Sequence, residues 1–369
     1  MNNSIRKKLQ YIFKSIAYGL FKIFYGSVSG IINPKSDLRV KISKAEFPDI
    51  DPFIIYSIKS GRIYTDTINN TAFLIDKKII DGPSFQLKGA KYESIEKNTV
   101  FSIGTPRIKK NLKGSVLSLL TGGAGNDNYW HWMFDVLPKI AIIEKFKDLN
   151  QIDFFLFPNT EKPFQKQTLD LLEIPKNKRL SAKKTRHLTA ENIISTEHPY
   201  VRKNFATIEI QNIPEWIIKW LRIRFLNEVK FNSTSLPKKI YIDRSDSESN
   251  SRSLRKIINE KEVIDFMIKK NYSVIKLRDL DFIDQVRLFN QAESVVGLHG
   301  AGFANIIFGS QNSKVLEIKP HTAGEMILNL AKKNNIEYSE LSLIPTLHDY
   351  NNQLGHILVP INELEKKLK

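Results

Sequence analysis

Apolar and polar positions change rhythm along this chain, and the changes divide it into stretches of different kinds. Ile5, Leu9, Ile12, Phe13, Ile16, Leu20, Ile23 and Phe24 recur at three- and four-residue spacing. Lys7, Lys8, Lys14 and Lys22 fall on the other side. The pattern predicts a basic amphipathic helix over residues 1–25, with too many interior lysines for a secretory signal peptide. Such a helix can lie in the headgroup region of an anionic membrane, or it can pack on the protein's own surface. Residues 31–110 mix short β-type runs with turn residues, and 72–75 and 78–80 read as a hairpin around Asp76-Lys77.

Further on, the rhythm becomes strand then helix. The apolar runs 116–120, 153–157 and 193–195 predict buried strands. Residues 128–146, 164–172 and 214–229 predict helices, with Pro138 kinking the first or opening a new first turn. The polar run from Asn232 to Pro237 is the best linker candidate. After it, strands are predicted at 239–242, 273–277, 294–298, 314–318 and 337–341. Helices are predicted at 260–270, 282–292, 302–308 and 325–334, the first with Asn259 and Glu262 as a capping box. Regular alternation of this kind implies βαβ units and a parallel sheet. The expected architecture is α/β: an amphipathic helix in residues 1–30, an α/β domain over 31–231 and a second over 232–369, the two domains facing a cleft.

Charge and composition narrow the partners. The 369 residues hold 56 Lys and Arg against 39 Asp and Glu, a formal net charge of +17. That excess favours an anionic partner: a nucleotide, a lipid surface, nucleic acid or an acidic glycan. The basic residues are dispersed and no nucleic-acid-binding motif is present, so nucleic acid is not the expected partner. There is no cysteine, which excludes disulfides, thiol catalysis and cysteine-ligated metals and is compatible with a reducing cytoplasm. No run is long and apolar enough for a transmembrane helix. His187, His198, His321, His348 and His356 are scattered, so no metal site is expected.

Two segments carry candidate chemistry. In the first, the strand ending at Leu298-His299 runs into Gly300, Ala301 and Gly302, and a helix containing Asn305 opens at once. Small residues let a ligand approach the backbone, and the first amides of a helix suit a phosphate. His299 adds a hydrogen-bond donor there, although a tight turn around a buried histidine gives the same sequence. The run is neither a P-loop nor a dinucleotide fingerprint. Arg244 and Glu317 close two neighbouring strands; an arginine fork suits phosphate oxygens and a carboxylate suits ribose hydroxyls. Arg252 can close over the phosphates or sit at the surface paired with an acid such as Glu260. In the second segment His131 and Asp135 are four apart, so on a helix the carboxylate can orient the imidazole as a general base. Gly123, Asn128 and Trp130 are the acceptor-side candidates beside them. Tryptophan offers sugars a flat face, but it serves equally as a core anchor.

Taken in order, these residues resemble glycosyltransferase family 61. The resemblance rests on Asn128-Tyr129-Trp130-His131-Trp132, Asp135, Leu137-Pro138, Tyr241-Ile242, Arg244, Arg252, Asn259-Glu260, Gly297, His299-Gly300-Ala301-Gly302, Asn305, Glu317-Ile318 and Pro320, within residues 115–345. It implies two Rossmann-like domains facing a cleft in the GT-B-type arrangement, a nucleotide-sugar donor and inversion at the anomeric carbon. The expected reaction moves a sugar from a uridine diphosphate donor to a glycan hydroxyl without a metal ion or other cofactor. Glu317 is expected on the ribose, and Arg244, His299 and the amides after Gly300 on the diphosphate. His131 is the expected base, oriented by Asp135, with Asp135 itself as the other candidate. The expected setting is bacterial: synthesis of capsule or lipopolysaccharide on lipid-linked oligosaccharide acceptors, in the cytoplasm or peripherally on the inner face of the plasma membrane. A non-catalytic nucleotide- or glycan-binding scaffold on the same fold is the alternative.

Overall fold

The alternating runs become two separate bodies in the computed structural model. It describes residues 3–66, 69–122, 127–203, 205–229, 236–245, 255–346 and 355–368. One body is formed by Met1–Gln165 and Glu173–Glu209, the other by Lys166–Leu172 and Ile210–Lys369. Gly123, Arg252 and most of the predicted linker lie outside the described residues. The chain is a mixed α/β protein, as its alternation predicts.

In the first body, Arg179–Ser181, Phe154–Phe157, Ser115–Ser118 and Asn192–Thr196 are parallel neighbours. Ile50–Lys59 and Val40–Phe47 extend this sheet antiparallel. Val116, Leu156 and Ile193 are fully buried, which is why these short strands read as continuous apolar runs. A second, largely antiparallel sheet includes the predicted hairpin, with Leu74 opposite Ile79 and Ile75 opposite Lys78. Asp76 makes its turn at φ 54°, a conformation aspartate tolerates better than most residues.

The second body holds a five-stranded parallel sheet in the order Ser273–Ile275, Lys239–Ile242, Ser294–Leu298, Lys314–Pro320, Glu337–Leu343. By chain order this is 2-1-3-4-5, so the winding reverses between Lys239–Ile242 and Ser294–Leu298. In such sheets ligands bind beyond the strand carboxyl ends at that reversal. Arg244 and His299 stand there. Helix Glu215–Leu226 also belongs to this body: its Phe225 meets Phe282 edge-on at 4.8 Å and Phe308 at 6.3 Å, all three fully buried.

Pro138 opens a new helical turn, as expected, while two other local expectations are corrected. The helix predicted over 128–146 is three pieces: Tyr129–His131, a π turn at Trp132–Val136, and Pro138–Glu144. Pro138 has no N–H to give, and the Leu137 N–H reaches back five residues to the Trp132 carbonyl at 3.1 Å. The Asn259 side chain does not cap its helix; it holds the backbone of Val359 from both sides and touches Glu262. The short helix after Gly300 is Ala301–Phe308 and is 3₁₀ rather than α.

The aromatic cluster generates a stability prediction. Phe225→Ala removes a buried ring and should lower the unfolding free energy by about 3–5 kcal/mol in a urea titration. A loss within error of zero would mean that this helix does not anchor the second body.

Candidate active site

In the first body the site grows from the carboxyl ends of Ser115–Ser118 and Asn192–Thr196. A single ammonium ties the segments that leave these strands: Lys139 Nζ donates to the Leu120 carbonyl at 3.0 Å and to the Thr196 carbonyl at 3.1 Å. Burial alone pulls the pKa of Lys139 down to about 7. Above it the Asn128 side chain accepts from the Trp130 and His131 amides and starts the helical turn. The π turn follows and carries Asp135, which is 4% exposed.

Asp135 is the hub. His131 Nδ1 lies 2.7 Å from one carboxylate oxygen and the Tyr200 hydroxyl donates to the other at 2.5 Å. His198 Nε2 stands 3.9 Å away. Burial opposes ionisation of Asp135, but the charge and hydrogen bond of His131, then those of His198, outweigh it and hold the carboxyl far below its usual range. Burial likewise opposes the charge on His131, yet Asp135 outweighs it and the imidazole pKa is raised. His198 has the opposite balance: burial dominates and its pKa is lowered. An ionised Asp135 only accepts, so neutral His131 carries its proton on Nδ1 and leaves the Nε2 lone pair free to take another. His131 is 24% exposed by side chain, whereas Asp135 and His198 are 6% and 9%. The histidine is therefore the member of the cluster that can reach a substrate.

The predicted pairing of His131 with Asp135 is thus realised, whereas the roles given to their neighbours change. Asn128 is a helix cap. Trp130 is 4% exposed and packs on Phe134 with ring centroids 4.7 Å apart, so it is a core anchor and offers no stacking face. His198, Tyr200 and Lys139 were not singled out by their spacing. The available signal was topological: His198 and Tyr200 follow the strand that pairs in parallel with Ser115–Ser118.

In the second body the site is built on His299. Its Nδ1 hydrogen-bonds Glu317 Oε1, and the Tyr338 hydroxyl donates to Glu317 Oε2 at 2.5 Å. Glu317 is fully buried with both oxygens engaged, which corrects its expected place on a ribose: it orients His299 instead. The His299 carbonyl accepts from Arg244 Nη1 and from Arg255 Nη1, the latter at 2.8 Å. Two guanidinium groups therefore meet at one carbonyl. Arg255 is 8% exposed; burial first, and then the charge of Arg244, lower its pKa to about 10. Burial, then Arg255 and Arg244, outweigh Glu317 and lower the pKa of His299. A side chain at 300 would meet the Arg244 guanidinium at 2.6 Å, so the glycine there makes room for the arginine.

Arg244, His299 and Gly300 are thus brought together, with Ala301 and Gly302 in the turn that follows, and Arg255 joins them without having been predicted. Asn305 is a correction: it is fully buried and its amide donates to Gln285 at 3.0 Å, so it fixes the 3₁₀ segment. Crowded positive charge at strand carboxyl ends is suited to an anion such as a diphosphate. Among the described residues no cluster of three or more His, Asp or Glu has the arrangement of a metal site.

Comparison with known proteins gives this geometry a context. The family model described as Glycosyltransferase 61 matches residues 129–316, about half of the chain, from the His131 turn to the strand that bears Glu317. The chain is similar to the EGF domain-specific O-linked N-acetylglucosamine transferase of Mus musculus, 29% identical over 97 residues that cover 24% of this chain and 18% of that protein. The protein of the same name from Pan troglodytes is 28% identical over 97 residues, with the same coverage. The matched region thus spans less than a fifth of the length of these relatives.

The hub predicts a titration. Asp135→Asn removes the charge that raises the His131 pKa, so that pKa should fall when the imidazole is followed by NMR. An unchanged titration would show that Asp135 does not set the basicity of His131.

Proposed function

The chain belongs to the glycosyltransferase 61 family, and from that premise we propose that it moves a sugar from a nucleotide diphosphate donor to a glycan hydroxyl with inversion. The observation that carries the reading is the His131–Asp135 pair, a partly exposed imidazole fixed in its base tautomer by a buried, ionised carboxylate. In the proposed reaction the acceptor oxygen bonds the anomeric carbon while the bond from that carbon to the diphosphate oxygen breaks. The hydroxyl proton passes to His131 Nε2, and the bonding pair leaves with the diphosphate. Asp135 stays ionised and stabilises the imidazolium that forms.

The donor is assigned to the second body. Arg244 and Arg255 meet the diphosphate charge as fixed cations already in place. His299 spends Nδ1 on Glu317, so it donates to a phosphate oxygen from Nε2 once it has taken up a proton. The leaving charge falls to these groups, with no metal given a part. The two bodies correspond in this reading to the two Rossmann-like domains of a GT-B-type transferase, and the donor is a uridine diphosphate sugar. The proposed acceptor is a surface polysaccharide precursor of the capsule or lipopolysaccharide kind, carried on a lipid and met on the cytoplasmic side. The net charge of +17 supports an anionic glycan or lipid. Gly123 and Arg252 keep their proposed places on the acceptor and donor sides.

Two variants separate the halves of this reading. His131→Ala should keep donor affinity and lose about 100–10,000-fold in turnover, the usual span for a general base. Arg244→Ala should weaken uridine diphosphate binding by about 1.5–3 kcal/mol in calorimetry. Full activity in the first variant with a good acceptor would place the base elsewhere. Unchanged affinity in the second would remove the diphosphate from this site.

A further inference from the structure

Helix Asn3–Tyr25 forms as its periodicity predicts, and its docking shows which side faces the protein. Among the described residues, the hydrogen bonds and ring contact that tie it to the rest of the first body come from its last turns. Lys22 Nζ donates to the Ser102 carbonyl at 2.6 Å, and the Tyr25 hydroxyl accepts from the Lys109 amide at 3.1 Å. The Tyr25 ring meets His187 edge-on at 4.9 Å. At 100° per residue, Tyr18, Phe21, Lys22 and Tyr25 share one side of the helix, and all four are partly buried. The apolar stripe is on the other side. Ile16, Ile23 and Phe24 are 59%, 80% and 76% exposed, and Ile5, Leu9, Ile12, Phe13 and Leu20 are exposed as well. The helix is thus pinned by its tyrosine and lysine side, with its apolar stripe turned away from the body that holds it.

An exposed stripe of this length needs an occupant. The sequence of Asn3–Tyr25 contains Arg6, Lys7, Lys8, Lys14 and Lys22 and no acidic residue. On the helical projection Arg6 and Lys8 flank the stripe, where long basic side chains can keep their charge at headgroup level while their stems lie on the acyl boundary. Among the described residues no helix is long and apolar enough to cross a membrane. We propose that Asn3–Tyr25 lies in the interface of an anionic lipid membrane, stripe inward, with its last turn as the fixed joint to the first body. Apolar burial and attraction to anionic headgroups act together in this mode. The proposal does not depend on the transfer reaction.

Sedimentation of the full chain with vesicles tests it. Vesicles of phosphatidylcholine containing about a third phosphatidylglycerol should bind the protein, pure phosphatidylcholine should bind it weakly, and salt should lower the binding. Ile12→Glu with Ile16→Glu should weaken binding about tenfold or more without shifting the thermal midpoint, because both side chains are exposed in the folded chain. Arg6→Glu with Lys8→Glu, the basic residues beside the stripe, should remove the preference for phosphatidylglycerol. Failure of the wild type to bind would overturn the proposal, as would equal binding by the Ile12/Ile16 double variant. Lipid-free self-association that the same variant abolishes, without vesicle binding, would assign the stripe to a second copy of the chain.

Discussion

A carboxylate taken out of water must have its oxygens hydrogen-bonded, and this protein meets that demand twice with the same pair of side chains. Asp135 is held by His131 and Tyr200, and Glu317 by His299 and Tyr338. Either carboxylate left unpaired would cost more than most single interactions in the fold supply. The consequence for chemistry is direct. Each imidazole spends Nδ1 on its carboxylate, so a further partner would have to meet it at Nε2.

The surroundings then make the two histidines different. Asp135 is the dominant charge beside His131, and it raises that imidazole's pKa despite burial. Beside His299, burial and the guanidinium groups of Arg255 and Arg244 outweigh Glu317, and the pKa falls. His131 thus holds a proton more readily than a free imidazole does. His299 sits among cations and suits an incoming anion. The same local device therefore gives imidazoles with opposite pKa shifts, and the neighbouring charges decide the direction.

What could be read from the chain followed from the range of the interaction. His131 and Asp135 lie within one helical turn, so their spacing announced the contact. The strand-to-glycine run at His299 and the position of Arg244 were likewise local. Tyr200, His198, Tyr338 and Arg255 enter through strand register and chain return, which no short window contains. Burial was the other obstacle: Glu317, Asn305 and Trp130 have side chains suited to a ligand, but packing directs each of them inward. The amphipathic stripe was visible from periodicity alone, while the side by which the helix docks was not, because the tyrosines that hold it are themselves amphipathic.

The central claim is that His131 takes the proton and Asp135 sets its basicity. The pH dependence of kcat/KM for sugar transfer, compared between the wild type and Asp135→Asn, tests it most directly. A base must be deprotonated to act, so the rate should rise with pH through the raised His131 pKa. In the variant that rise should move to lower pH, with a reduced plateau. A variant with no activity at any pH, while His131 still titrates, would make Asp135 the base and contradict this account.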